Sequence, residues 1–237
     1  MIRSVHELYG YTILAEDGRI GIVRDLILDE KSWKVCFLHV DLMDLIPGRC
    51  GLIPTSKLGQ PNYETMDFPV LLTKEQVRDA PTMHVNDVTY QKFANELYSH
   101  FGWDPCWSIE EKEKVVNKQQ LTPDTSAKLY PRSSREIIGY CVQAIDGKIG
   151  YIEDFILDDQ EWKIRYVVIH TRNWLPGRKV LISPSWLNKV VWKEFKVHVD
   201  HSRREIKNSP EYDPDTPVNR QYEEVLYNYY GQAKYWN

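Results

Sequence analysis

DGKIGYIEDFILDDQEWKIRYVVI, residues 146–169, decides how this chain folds, and a near copy, DGRIGIVRDLILDEKSWKVCFLHV, stands at 17–40. Each copy is two runs of β-branched and aromatic residues around an acidic turn, the pattern of a β-hairpin. Asp17-Gly18 and Asp146-Gly147 suit a turn that needs a positive φ, whereas Gly21 and Gly150 fall inside a strand, where a bulge or bend is expected. KVLISP (179–184) and FKVHVDH (195–201) add further short strands, so each copy predicts a small, strongly curved sheet or barrel.

The copies belong to a longer duplication. A shift of 129 residues aligns 10–58 with 139–187 without a gap, with 20 identities in 49 positions. Weaker matches continue in register to Trp107/Trp236. The expected domains are a first unit at 1–107, a charged linker at 108–131 and a second unit at 132–237. Each unit also predicts helices. Thr73-x-x-Gln76 and Ser202-x-x-Glu205 are capping-box signatures, each followed by a stop at Pro81 or Pro210. Second helices are expected near 88–101 and 218–230. In the later one Tyr222, Val225, Leu226 and Tyr229 share a face; Gly102 and Gly231 are placed to cap the ends.

The corner MDLIPGRCGLIPT (43–55) recurs as RNWLPGRKVLISP (172–184). Pro47 and Pro176 preset φ, and Gly48 and Gly177 supply the turn. Trp174 and Lys179 decorate only the second corner.

Composition excludes several classes. The chain has 237 residues, 42% hydrophobic and 27% charged, the balance of an ordinary globular protein. No apolar run approaches the ~18–20 residues needed to span a bilayer, and the N-terminus lacks a signal-peptide core. Four scattered cysteines (Cys36, Cys50, Cys106, Cys141) indicate neither a disulfide framework nor a zinc knuckle, which points to a reducing cytoplasm.

The hairpin pattern resembles the PRC-barrel domain, the fold of the cytoplasmic barrel of the photosynthetic reaction-centre H subunit and of the C-terminal domain of the ribosome-maturation factor RimM. The resemblance covers 10–70 and 139–199 and is stronger in the second copy; the ending PEYDPDTPVNRQYEEVLYNYYGQAKYW (210–236) is similar to that of bacterial tandem-barrel proteins. It implies a mainly β fold with helical additions: two small PRC-type barrels, each followed by short helices, packed as a pseudo-twofold pair. It implies scaffolding or docking rather than an activity.

The candidate sites are few. Asp25, Asp29, Asp154 and Asp158 are four apart on strands, about 13 Å at ~3.3 Å per residue, too far to share a metal or proton, so they read as turn and strand-end caps. His198 and Asp200 could share a strand face, but the first copy has Pro69 and Leu71 there, and solvation is the expected state. Phosphate cradles and a nucleophile–base pair are absent from the sequence, so no enzyme, cofactor or metal is expected. Residues 163–207 carry eleven Lys and Arg against three acids, while the matching 34–78 carry five of each. With Trp174, Trp186 and Trp192 interleaved, Lys163, Arg165, Arg172, Trp174, Arg178 and Lys179 form the candidate partner-binding face. Three partners are compatible with this face: another protein, the first reading; RNA or the ribosome; or a photosynthetic or redox membrane assembly. Residues 1–129 carry 14 basic against 19 acidic residues, so the first unit is itself a complement for that face within an internal pseudo-dimer.

Overall fold

The computed structural model describes residues 2–84, 90–101, 131–171 and 177–236. Its strands are β1 (Ile2–Ser4), β2 (Thr12–Ala15), β3 (Gly18–Asp29), β4 (Val35–Asp41), β5 (Arg49–Pro54), β6 (Asp67–Pro69), β7 (Met83–His84), β8 (Pro131–Ser133), β9 (Cys141–Ala144), β10 (Gly147–Asp158), β11 (Lys163–Thr171), β12 (Arg178–Ile182), β13 (Leu187–Val191) and β14 (Lys196–Val199). The helices are α1 (Lys74–Asp79), α2 (Tyr90–Phe101), α3 (Ser134–Ile137), α4 (Arg203–Asn208) and α5 (Arg220–Tyr230). The mainly β class with helical additions is as the sequence implies. Of the expected linker at 108–131, residues 108–130 lie outside the described residues and Pro131 opens β8.

Two compact units emerge, one of residues 9–133 and one of residues 1–8 with 134–237. They cut the chain at other points than the repeat does, because of one strand in each. In the 9–133 unit the sheet runs β6-β2-β3-β4-β5-β7, with β8 on β3. In the other it runs β12-β11-β10-β9-β14-β13, with β1 on β10. Register is equivalent: Ser4 faces Ile156 and Ser133 faces Ile27, positions 129 apart on both strands. Each unit thus takes one short strand from the stretch that precedes the other repeat.

The glycines behave as the pattern predicts. Gly18 and Gly147 have φ of 125° and 130° in the hairpin turns. A Cβ on Gly21 would lie 1.8 Å from the Asp41 carbonyl oxygen, and on Gly150 2.0 Å from that of His170, so only glycine lets the backbones approach. Beyond these points β3 and β10 each carry register shifts at Val23/Asp25 and Ile152/Asp154, bulges that bend both sheets alike. The Pro-Gly-Arg corner has two different reasons for its glycine. Gly48 adopts φ 77°, a turn conformation, but Gly177 does not; a Cβ there would meet the His170 ring nitrogen at 2.6 Å. The residues that lead into the second corner, 172–176, lie outside the described residues.

Both capping boxes form: Thr73 and Ser202 accept from the backbone of Gln76 and Glu205, which reach back to the cap N–H groups. Gly231 closes α5 at φ 62°. The face of α5 is shifted from expectation. Leu226 is buried with Glu223, Tyr227 and Tyr230, while Val225 and Tyr229 are exposed. A second correction concerns the cysteines. Cys36, fully buried on β4, is disulfide-bonded, whereas Cys50 and Cys141 are free. Scatter along a sequence does not reveal which side chains a fold brings together.

Candidate docking surfaces

The aspartates come first, because they fix the sheets. Asp154 accepts from Phe155 N–H (2.7 Å) and His6 N–H (3.2 Å) with one oxygen, and from Ser4 Oγ (2.5 Å) with the other. Asp25 repeats the arrangement with Leu26 N–H and Ser133 Oγ. Each carboxylate sits at the bulge and holds the short strand taken from ahead of the other repeat. Burial pushes the Asp154 carboxyl up, against the lowering by its hydrogen bonds from Ser4, Phe155 and His6. Asp29 caps Ser32, and Asp158 caps Gln160 and Glu161. Capping is thus the role of all four, but the strand clamp of Asp25 and Asp154 was not foreseen. A sequence signal for it exists: Arg3-Ser4 and Arg132-Ser133 are themselves 129 apart.

The basic face is largely occupied from within. Arg165 is 8% exposed and pairs with Asp158 (2.8 Å) and Glu161 (2.7 Å). Although burial opposes charge on Asp158, Arg165 and two turn N–H groups outweigh it and hold the carboxyl below its ordinary value. Arg178 pairs with Glu211 (3.2 Å) and donates to Lys207 O (2.7 Å) and Ser209 O, tying β12 to the end of α4. Lys179 pairs with Glu153 (3.0 Å). Lys163 is exposed at the start of β11. Arg172, Trp174 and Pro176 lie outside the described residues. Trp186 is buried between Tyr227 (4.8 Å) and Tyr230 (5.3 Å), so it offers no ring for stacking.

The same aromatic cluster fastens the C-terminal tail. Glu223, 1% exposed, accepts from Tyr166 (2.6 Å) and Tyr235 (2.9 Å) and pairs with Arg220 (2.9 Å). Arg165 lies over the Tyr235 ring at 4.1 Å and Arg220 over Trp236 at 4.1 Å. Burial, then the bond to Glu223, pushes the Tyr235 hydroxyl up to about 12. The histidine cluster is similarly committed: both Asp200 oxygens accept from Asn188 (2.7 Å), and His201 packs on Tyr230 at 4.7 Å. Among the described residues no group of His, Cys, Asp and Glu is placed to hold a metal ion.

What sequence reading missed is a pair of exposed apolar tips. Phe195, between a one-turn helix (Trp192–Glu194) and β14, adopts φ 53° and is 59% exposed. Its counterpart 129 residues earlier, Met66, adopts φ 56° and is 58% exposed. Their carbonyls accept from equivalent donors, Cys141 N–H and Thr12 N–H, both at 2.9 Å. The left-handed conformation costs a side-chain-bearing residue ~1–2 kcal/mol, and glycine or asparagine is its usual occupant. Both copies carry a large apolar residue instead. The surroundings differ: Trp192, Lys193, Glu194 and Lys196 flank Phe195, with Lys196 paired to Glu194 at 2.9 Å, whereas Tyr63, Glu64 and Asp67 flank Met66. A cavity of about 350 Å³ beside α5, lined by Tyr212, Thr216, Val218, Tyr222 and Val225, is a further concave surface of the 134–237 unit.

Among the described residues no helix is long and apolar enough to cross a membrane. No curated protein matches the chain. Residues 132–202 match the PRC-barrel domain family, the stretch that runs from the clamp strand β8 through β14. Residues 132–202 are therefore a PRC-barrel domain.

Proposed function

We propose that this protein is a non-enzymatic docking or adaptor protein whose contacts are made to another protein by the tips at Phe195 and Met66. The observation that carries this reading is the repeated placement of a large apolar side chain in a left-handed, solvent-exposed backbone site. Phe195 also packs edge-on against Tyr140 at 5.4 Å, and Trp33 and Trp162 take the same left-handed backbone, Trp33 buried, so it is the exposure of Phe195 and Met66 that supports the reading. The PRC-barrel domain supports it, since such barrels are known as docking modules. Two such tips would let one chain present an aromatic tip of mixed charge and a methionine tip with acidic neighbours, two surfaces of different selectivity.

A polyanion-binding role has less support, because Arg165, Arg178 and Lys179 are each paired with an acidic side chain. The test is affinity capture from the native cells with the full chain and with Phe195→Ser and Met66→Ser. Proteins recovered by the wild type and depleted at least tenfold with one or both variants are the expected result. Unchanged recovery of every protein, with both variants folded, would contradict the reading.

A further inference from the structure

The short strands β1 and β8 are guests on strand edges that the host repeat leaves open. One edge of β10 pairs with β11 from Tyr151 to Asp158; the other pairs with β9 only from Gly147 to Tyr151. Beyond the bulge, Ile156–Asp158 on that second edge is covered by β1. The host β3 repeats the arrangement, with β4 on one edge, β2 from Gly18 to Ile22 on the other, and β8 on Ile27–Asp29.

What holds each guest is local. Ser4 Oγ donates to Asp154, and Val5 N–H donates to the Phe155 carbonyl at 2.9 Å. Ser133 Oγ donates to Asp25, and Arg132 pairs with Glu30, the residue after β3, at 2.8 Å. Ile-Arg-Ser and Pro-Arg-Ser are thus held in the same way, by a ladder edge and by a bulge carboxylate that takes the serine hydroxyl. Neither guest comes from the repeat that it completes. Two different segments at one register mean that the edge selects by what the segment carries, not by how it is tethered.

We infer that the 156–158 edge of β10 is a binding site for an extended Arg-Ser segment, and that a second copy of this chain supplies one. The leader of each copy enters the slot of the other and closes a strand-exchanged dimer. Such a dimer reproduces the β1–β10 contacts, so its main opponent is the tether, whose effective concentration is of order mM for a short link. Exchange is therefore seen most readily when the contact within one chain is disabled. This contact is separate from the tips at Phe195 and Met66.

The experiment mixes two full-length variants. Ser4→Pro disables the leader by removing its hydroxyl and an N–H, and Asp154→Lys disables the slot. Each alone is expected at the 28.0 kDa of one chain, and the equimolar mixture at twice that mass by light scattering. Two folded variants that stay monomeric when mixed would overturn the inference, as would a dimer formed equally well by Ser4→Pro alone. A milder variant, Ser4→Ala, gives a measurement that does not require Asp154→Lys to fold. A synthetic peptide of residues 1–8 is expected to restore amide-exchange protection at 156–158 of that chain, and the same peptide carrying Ser4→Ala to do so at least about fivefold more weakly. No restoration, or equal restoration by both peptides, would equally overturn it.

Discussion

Asp154 shows how much one side chain settles. It satisfies a bulge N–H, the N–H of His6 and the Ser4 hydroxyl, and burial has raised its pKa. A carboxyl raised above its unfolded value binds more protons in the folded state, so its contribution is full below pH ~3.8 and is lost as pH rises through the folded pKa. Asparagine keeps the acceptor for the two N–H groups and can donate to Ser4 Oγ. Asp154→Asn is therefore expected within about 1 kcal/mol of the wild type at pH 7, whereas Asp154→Ala costs about 2–3 kcal/mol by leaving polar groups unmet. Denaturant titrations from pH 4 to 8 should show the Asp154→Asn variant gaining on the wild type as pH rises. Equal losses for both variants would remove the clamp. Gly21 and Gly150 give a second residue-scale expectation. A methyl group there overlaps a backbone carbonyl, which cannot swing aside, so either Gly→Ala change should cost more than about 3 kcal/mol in thermal unfolding. Such positions were legible in the sequence, because an Asp-Gly turn and a strand-internal glycine have local causes. Phe195 and Met66 were not, since nothing in a phenylalanine or methionine announces a positive φ.

At the scale of elements, the strands and capped helices follow from patterns within a few residues of each, and the sequence foretold them. The short strands β1 and β8 did not follow, because their partners are set by topology rather than by neighbours. The face of α5 was displaced by one position for a related reason: the buried Glu223 is admitted to the core by Tyr166, Tyr235 and Arg220, partners invisible to a hydrophobic count. Three members of the basic face, Arg165, Arg178 and Lys179, find acidic partners that lie outside the window 163–207: Asp158, Glu161, Glu211 and Glu153. The strand exchange makes its own prediction. Ser4→Ala lies in the first repeat's leader, yet its loss of amide-exchange protection should appear on β10 (Gly147–Asp158) and spare β3 (Gly18–Asp29). Ser133→Ala should do the reverse. Loss on the strand of the same repeat would contradict the exchange.

For the whole molecule, the two units share a five-strand order (β6-β2-β3-β4-β5 and β14-β9-β10-β11-β12), the same bulges and the same left-handed tip, but differ in their edge strands and decoration. One tail is held by a cluster of aromatic rings, arginines and a buried glutamate; its counterpart's positions carry cysteines. One tip is aromatic with neighbours of both charges, the other methionine with acidic neighbours. What both units share is explained by the demands of the fold, and what differs between them is where selectivity for a partner belongs. A photoreactive phenylalanine analogue installed at position 195, and separately at the exposed Lys163 as a control, probes this most directly. Irradiation of native cells should give adducts of defined mass at 195, competed by unmodified chain and diminished at least tenfold at 163. Equal adduct patterns at the two positions, or none at 195, would contradict the docking role.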